Sequence, residues 1–334
     1  MIYQTGQANC YDRNGHQIDC QGTGQDGEWR SGTPWPDPRF EARDRIVIDH
    51  LTGLTWSRNA NPGDFPMTWV EALGYVQQLR RDKYLGYDDW RLPNRRELRS
   101  MIGHQTRKPA LPENHPFENI FLGWYWTSTT AAIYPANAWY IHLEGARMFY
   151  GGKDQSFLTW PVRGTCNNSL LATGQKQCYD AKGSIRSCAH SGQDGEYQLG
   201  RQWDENRFTA SSGKVLDNMT GLLWTQAANI SGEPVSWQQA LDRAHAFNIE
   251  SDDAHRWRLP NINELESLVD CSSSRPALPD NHPFKDLQDG YWSSTTSFFE
   301  PDWAWALYLE KGAIGVGQKP GKHFYVWLVA NPWV

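Results

Sequence analysis

The sequence predicts an α+β fold built twice: two tandem repeats, residues 1–166 and 167–334, each with two helices and a short, mostly antiparallel sheet, preceded by a disulfide hairpin. Three observations predict it. Trp90-Arg91-Leu92-Pro93-Asn94 returns as Trp257-Arg258-Leu259-Pro260-Asn261. The pair Cys10 and Cys20 returns as Cys178 and Cys188. Aromatic, strand-like runs close both copies.

In chain order, Thr5-Gly6-Gln7 and Thr173-Gly174-Gln175 open the copies. Two cysteines ten apart flank a glycine-containing turn, Asp12 to Gly15 and Asp180 to Gly183, which can bring the thiols together. Disulfides of this kind persist in an oxidising compartment, so an extracytoplasmic protein is expected. A zinc pair is the lesser alternative, because no nearby His or Cys completes a tetrahedral set. Cys166 and Cys271 have no counterparts, and the sequence leaves open whether they pair or stay reduced.

Gly24-Gln25-Asp26-Gly27-Glu28 and Gly192-Gln193-Asp194-Gly195-Glu196 follow. Glycines around a carboxylate suit a hydrogen-bonded turn; calcium, with Asp12 or Asp180, is the alternative cofactor, though the dense carboxylates of a dedicated calcium loop are missing. Strands at Arg45 to Asp49 and Lys214 to Asp217 lead to Thr52-Gly53-Leu54 with Trp56, and to Thr220-Gly221-Leu222 with Trp224. Capping boxes Thr68/Glu71 and Ser236/Gln239 then open helices, with Trp69, Ala72, Leu73, Val76 and Leu79 on one face and Trp237, Ala240, Leu241, Ala244 and Phe247 matching them.

The Trp-Arg-Leu-Pro-Asn stretch opens the second helix of each copy. Asn94 and Asn261 stand at the N-cap, Glu97 and Glu264 three residues on, and Pro93 and Pro260 hold the preceding Leu out of helical conformation. Arg91 and Arg258, beside a Trp in such a turn, are expected to satisfy a buried carboxylate and backbone carbonyls. The proline-rich runs around His115 and His282 read as ordered loop, with the histidines as turn residues. Tyr125-Trp126-Thr127-Ser128-Thr129 and Tyr291-Trp292-Ser293-Ser294-Thr295 begin the closing strands.

Length allows two or three domains, and the repeat decides for two. No stretch is long and apolar enough for a membrane span, and Met1 to Gln7 lacks a signal core, so a signal was either removed or never present. The net charge of −6 speaks against nucleic-acid binding. It is uneven: residues 1–166 carry 18 basic and 18 acidic side chains, residues 167–334 carry 14 and 20. No nucleophile elbow, zincin motif, phosphate loop or dinucleotide fingerprint is present, and the expectation is a non-enzyme.

The ordered set, from Asp-x-x-Thr-Gly-Leu-x-Trp (Asp49 to Trp56, Asp217 to Trp224) through Trp-Arg-Leu-Pro-Asn-x-x-Glu-Leu to Tyr-Trp-(Ser/Thr)-Ser-Thr and Trp-Pro-Val-Arg-Gly, resembles the C-terminal domain family of the Legionella collagen-like adhesin. The resemblance implies a C-type-lectin-like unit in secreted or surface bacterial proteins, and attachment to sulfated polysaccharides such as glycosaminoglycans. Repeat 2 departs from repeat 1 in having Ala330 for Arg163 and His255-Arg256 for Asp88-Asp89. Similar scaffolds occur in formylglycine-generating oxidases, whose late cysteine pair neither repeat has, and in retroelement-diversified display proteins.

The two copies also act as an internal control. Residues that match serve the shared fold, and residues that differ are free for separate functions. Seven Trp pairs match (35/203, 56/224, 69/237, 90/257, 126/292, 139/305 and 160/327) and read as core. Trp29, Trp124, Trp303 and Trp333 are left over and rank as site candidates. The unmatched loop Phe298-Phe299-Glu300-Pro301-Asp302-Trp303 is the candidate ligand-binding loop of repeat 2, with calcium-assisted sugar binding as one reading and hydrophobic packing as the other. In repeat 1, Arg95, Arg96 and Arg99 are the candidate sulfate-binding residues, weighed against a solvated helix face. Two functions result: recognition of a glycan or surface partner, with adhesion as the outcome, or display of a protein-binding surface. Ligand, calcium and oligomeric state are not legible.

Overall fold

The computed structural model describes residues 2–251 and 254–331. The chain forms two compact units: unit 1 is Met1–Pro34, Trp203–Val269 and Ser273–Val334, and unit 2 is Trp35–Gln202 with Asp270–Ser272. A cut after residue 166 separates the sequence repeats, but the compact units divide otherwise. Each disulfide hairpin is grouped with the body of the other repeat.

In unit 2, a four-stranded antiparallel sheet runs in the order Val162–Arg163, Thr55–Ser57, Ile46–Asp49, Phe40–Arg43. Helix Trp69–Arg81 starts at the Thr68/Glu71 capping box and buries Trp69, Ala72, Leu73, Val76 and Leu79, the stripe that its 3.6-residue period lays on one side. Helix Arg95–Ser100 starts at the Asn94/Glu97 box. A meander of Trp124–Thr130, Asn137–His142 and Met148–Gly152 closes the body, with a register irregularity between Trp126 and Thr130.

Unit 1 repeats this plan. Its sheet runs Phe208–Ser211, Lys214–Asp217, Leu222–Thr225, Val329–Ala330. Helices Trp237–Glu250 and Ile262–Ser267 begin at the Ser236/Gln239 and Asn261/Glu264 boxes, and the meander is Gly290–Thr296, Trp303–Tyr308, Ala313–Gln318. Two tandem domains of mixed helix and antiparallel sheet are thus present.

The repeated Trp-Arg-Leu-Pro-Asn stretch earns its recurrence through one carboxylate. Glu97 takes both terminal nitrogens of Arg91 at 2.6 and 2.7 Å and the N-cap amide of Asn94 at 2.8 Å. Glu264 does the same for Arg258, at 2.7 and 2.6 Å, and for Asn261 at 2.8 Å. All four charged side chains are buried. Six of the seven matched Trp pairs are buried, each side chain at most 2% exposed. Trp35 and Trp203 instead lie over the guanidinium groups of Arg39 and Arg207, at 4.6 and 4.8 Å. Those arginines pair with Asp49 and Asp217 and reach the carbonyls of Ser100 and Ser267, a second buried ion pair per unit that the sequence reading missed. His115 and His282 stack on Phe117 and Phe284, in keeping with turn residues.

Both hairpins carry their disulfide, Cys10–Cys20 and Cys178–Cys188; Cys166 and Cys271, both in unit 2, are unpaired. The Gln-Asp-Gly-Glu segment forms one helical turn, Asp26–Trp29 or Asp194–Tyr197, which adds a third helix to each unit. Its first carboxylate is buried. Asp26 accepts hydrogen bonds from Thr5 and Thr295, both at 2.7 Å, and Asp194 from Thr173 at 2.7 Å and Thr129 at 2.6 Å. Burial pushes both carboxyls up to about 6 despite these donors. A side-chain amide imitates a strand rung beside them: Gln7 exchanges two 2.8 Å bonds with the Thr296 backbone, as Gln175 does with Thr130.

A buried lysine completes each seat. Lys319 donates to the carbonyls of Tyr11 and Asp12 at 3.1 Å and lies 4.2 Å over Trp237. Lys153 donates to the carbonyl of Asp180 at 3.1 Å and lies 4.1 Å over Trp69. Burial pushes both ammonium groups down to about 7. Because the folded value lies below the unfolded one, folding releases the proton, and stability is lost as pH falls from the ordinary lysine range to about 7. The raised carboxyls act lower, contributing stability below about pH 4 that fades as pH rises through about 6. Unfolding free energy is therefore expected to rise between about pH 7 and 8.5, on the order of 1 kcal/mol per lysine. Urea titrations of wild type and of Lys153→Met with Lys319→Met test this; an equal slope in both proteins would refute it.

Candidate functional site

Four positions where the repeats differ, Trp29, His245, Asn248 and Arg256, meet at a cleft in unit 1. It has a volume of about 680 Å³ and lies between the 18–29 segment, helix Trp237–Glu250 and the start of the signature stretch at Arg256. Trp29 and Arg256 line it, the guanidinium 4.4 Å above the indole ring. The Trp29 indole nitrogen is buried without a hydrogen-bond partner. One wall is held by Glu28, whose carboxylate takes the amides of Gly22 and Gly24 at 2.7 Å. His245 and Asp242 expose polar side chains on the helix side, while Asn248 is spent on the backbone of Trp257.

Unit 2 shows why these residues belong together. Tyr197 stands at the position of Trp29 and accepts a 2.6 Å bond from Arg80, the counterpart of Asn248; Gln77, the counterpart of His245, bonds the His190 carbonyl at 3.0 Å. The same space is thus bridged by hydrogen bonds. Asp89, at the position of Arg256, pairs with Arg163 at 2.7 Å, and Arg163 lies 3.7 Å over Tyr87. In unit 1 the acid has become Arg256 and the arginine Ala330. Removing both ends of the pair leaves Arg256 with no carboxylate partner among the described residues.

The basic helix face expected at Arg95, Arg96 and Arg99 is corrected by their burial: they are 1%, 8% and 2% exposed. Arg95 lies 4.1 Å over Trp139 and 4.0 Å from the Cys271 sulfur; Arg99 donates to the Ala146 carbonyl at 3.2 Å and meets His104 at 3.1 Å. Every residue of that six-residue helix is buried, so it has no solvated side. A group of arginines in unit 2 does gather elsewhere, the exposed Arg43 and Arg45 beside the half-buried Arg163, each next to an acid: Glu41, Asp44 and Asp89. Their charge is largely compensated.

Trp124 is 47% exposed and caps a stack formed with His142 at 5.0 Å and Phe157 at 5.6 Å, with Phe121 and Leu122 also exposed. In unit 1 its place is taken by Gly290, against which the ring of Phe324 lies so closely that a Cβ there would meet it at 2.6 Å. The 298–303 loop is partly buried. Phe298 meets Tyr11 edge-on at 6.3 Å, the backbone at Pro301 and Asp302 lies against Gly15 of the hairpin turn, and Trp303 bonds the Glu300 carbonyl at 2.8 Å. Packing against the hairpin is the role these contacts support for Phe298 and Asp302, while Glu300 and Trp303 close the loop's own turn and Phe299 is half-buried in the same loop. The carboxylates weighed for calcium serve the fold: Asp12 takes the amides of Asn14 and His16 at 2.8 and 2.9 Å, Asp180 those of Lys182 and Ser184 at 2.9 Å, and Asp26 and Asp194 the threonine hydroxyls. Among the described residues no cluster of three metal-binding side chains forms. Trp333 lies outside the described residues.

The model of the Lcl C-terminal domain matches residues 45–163 and 213–330. The chain belongs to the Lcl C-terminal domain family. Both matched segments span three of the four sheet strands, the two longer helices and the meander of one repeat, and neither includes a disulfide hairpin. No curated protein and no solved structure matches the chain. Membership in the Lcl family and the two disulfides fit a surface protein of an oxidising compartment. Among the described residues no helix is long and apolar enough to cross a membrane.

Proposed function

We propose that this protein is a non-enzymatic, extracytoplasmic adhesion protein that binds an acidic glycan in the unit 1 cleft. The observation that carries this reading is the Trp29–Arg256 pair. A guanidinium with no carboxylate partner among the described residues supplies a fork for a sulfate or uronate. The buried, unpartnered indole N–H asks for an acceptor, which a sugar oxygen supplies. The exposed Asp242, His245 and Gln238 offer further polar contacts to hydroxyls. The polyanion preference carried by the family resemblance is thereby moved from the buried arginines of repeat 1 to a single cationic position in repeat 2.

The test is a glycan array probed with the purified chain, with sulfated, uronate-bearing and neutral glycans, at low and high salt. Binding restricted to acidic glycans and weakened by salt is the expected result. Binding to neutral glycans alone would overturn the role given to Arg256. A protein partner is the second reading, favoured by the exposed strip of Phe121, Leu122 and Trp124 in unit 2. A silent array with capture of a surface protein that Trp124→Ala abolishes would favour it.

A further inference from the structure

We propose that the N-terminal disulfide hairpin segment is exchanged between copies of this chain, so that residues 1–34 of one molecule seat on the 203–334 body of a second. The starting point is the composition of the units. The body of repeat 1 is completed by the hairpin that follows it in sequence, and the body of repeat 2 by the hairpin that opens the chain. In unit 1, hairpin and body are therefore separable parts, joined through a seat rather than through continuous chain.

The seat in unit 1 is specific and polar. Asp26 bridges Thr5 of its own segment to Thr295 of the body, Gln7 forms a two-bond rung with Thr296, and Lys319 of the body holds the carbonyls of Tyr11 and Asp12. Each of these contacts but the Lys319–Tyr11 bond has its twin in unit 2. Two different hairpins satisfying two different bodies by the same bonds shows that the seat reads the hairpin's chemistry and not its place in the chain. A hairpin arriving from a second molecule remakes every bond of the closed form, so exchange costs no contact. The balance is set by the connector and by protein concentration.

The connector favours release. Pro34-Trp35-Pro36-Asp37-Pro38 carries three prolines in five residues, and a prolyl nitrogen has no hydrogen to anchor it. Pro36, Asp37 and Pro38 are exposed and lie outside helix and strand.

The experiment uses the whole chain with its disulfides intact. Two preparations with different affinity tags, each with a protease recognition sequence inserted after Pro34, are unfolded in urea without reductant, mixed, and refolded at low and high protein concentration. The expected result is a species of twice the monomer mass that carries both tags, grows with concentration, and falls to monomers when the connector is cut, because each hairpin then stays on its new body without a covalent link. Monomer alone at every concentration would overturn the proposal. So would a two-tag dimer that survives cleavage, since that dimer is held by another surface.

Discussion

Glu264→Ala is expected to destabilise unit 1 by about 3–5 kcal/mol, and Glu97→Ala to do the same to unit 2. Each substitution leaves a buried guanidinium, Arg258 or Arg91, without its carboxylate and strips the cap amide of Asn261 or Asn94 of its acceptor. The cost comes from leaving a charge buried and unpaired, which exceeds the net worth of the pair itself. Arg275 and Glu310 supply the contrast: they meet at 3.0 Å but are 61% and 45% exposed, so Glu310→Ala should cost less than about 1 kcal/mol. Urea unfolding of the three variants separates the cases. Equal, small losses would show that the signature carboxylates do not hold the fold as described.

That effect was visible in the sequence because it is local. A cap residue, an acid three positions on and an arginine just before a proline lie within seven residues, and their geometry follows from the helix start alone. The helix stripes, the matched Trp pairs and the ten-residue cysteine spacing were legible for the same reason: each follows from a periodicity or a short loop. The burial of Arg95, Arg96 and Arg99 was not. Helical spacing places residues on faces, but it does not say which faces the rest of the chain covers, and six residues are too few for a polar side to declare itself. Nor did the repeat reveal that each hairpin serves the other body. Sequence self-similarity marks what is copied, whereas packing partners are chosen by contacts far apart in the chain, such as Gln7 with Thr296.

The cleft falls between these cases. Trp29 against Tyr197, Arg256 against Asp89 and Ala330 against Arg163 could each be read as a difference. Only the fold shows that Trp29 and Arg256 share one cleft and that the Asp89–Arg163 pair explains two of the three differences. Differences between repeats that compensate one another are the signal by which such a site can be sought in sequence.

Arg256→Asp with Trp29→Tyr writes into unit 1 the residues that unit 2 carries at those positions. Arg256 is exposed, and tyrosine keeps an aromatic ring at position 29, so the unfolding midpoint should stay close to that of wild type. Glycan affinity should fall at least about tenfold, a loss of roughly 1.4 kcal/mol, since the fork for the anion is replaced by a like charge. The most direct measurement is a calorimetric titration of both proteins with an acidic glycan that the wild type binds, at low salt. A loss of tenfold or more with unchanged stability is the result expected of a binding cleft at Trp29 and Arg256, and equal affinity of the two proteins would contradict it.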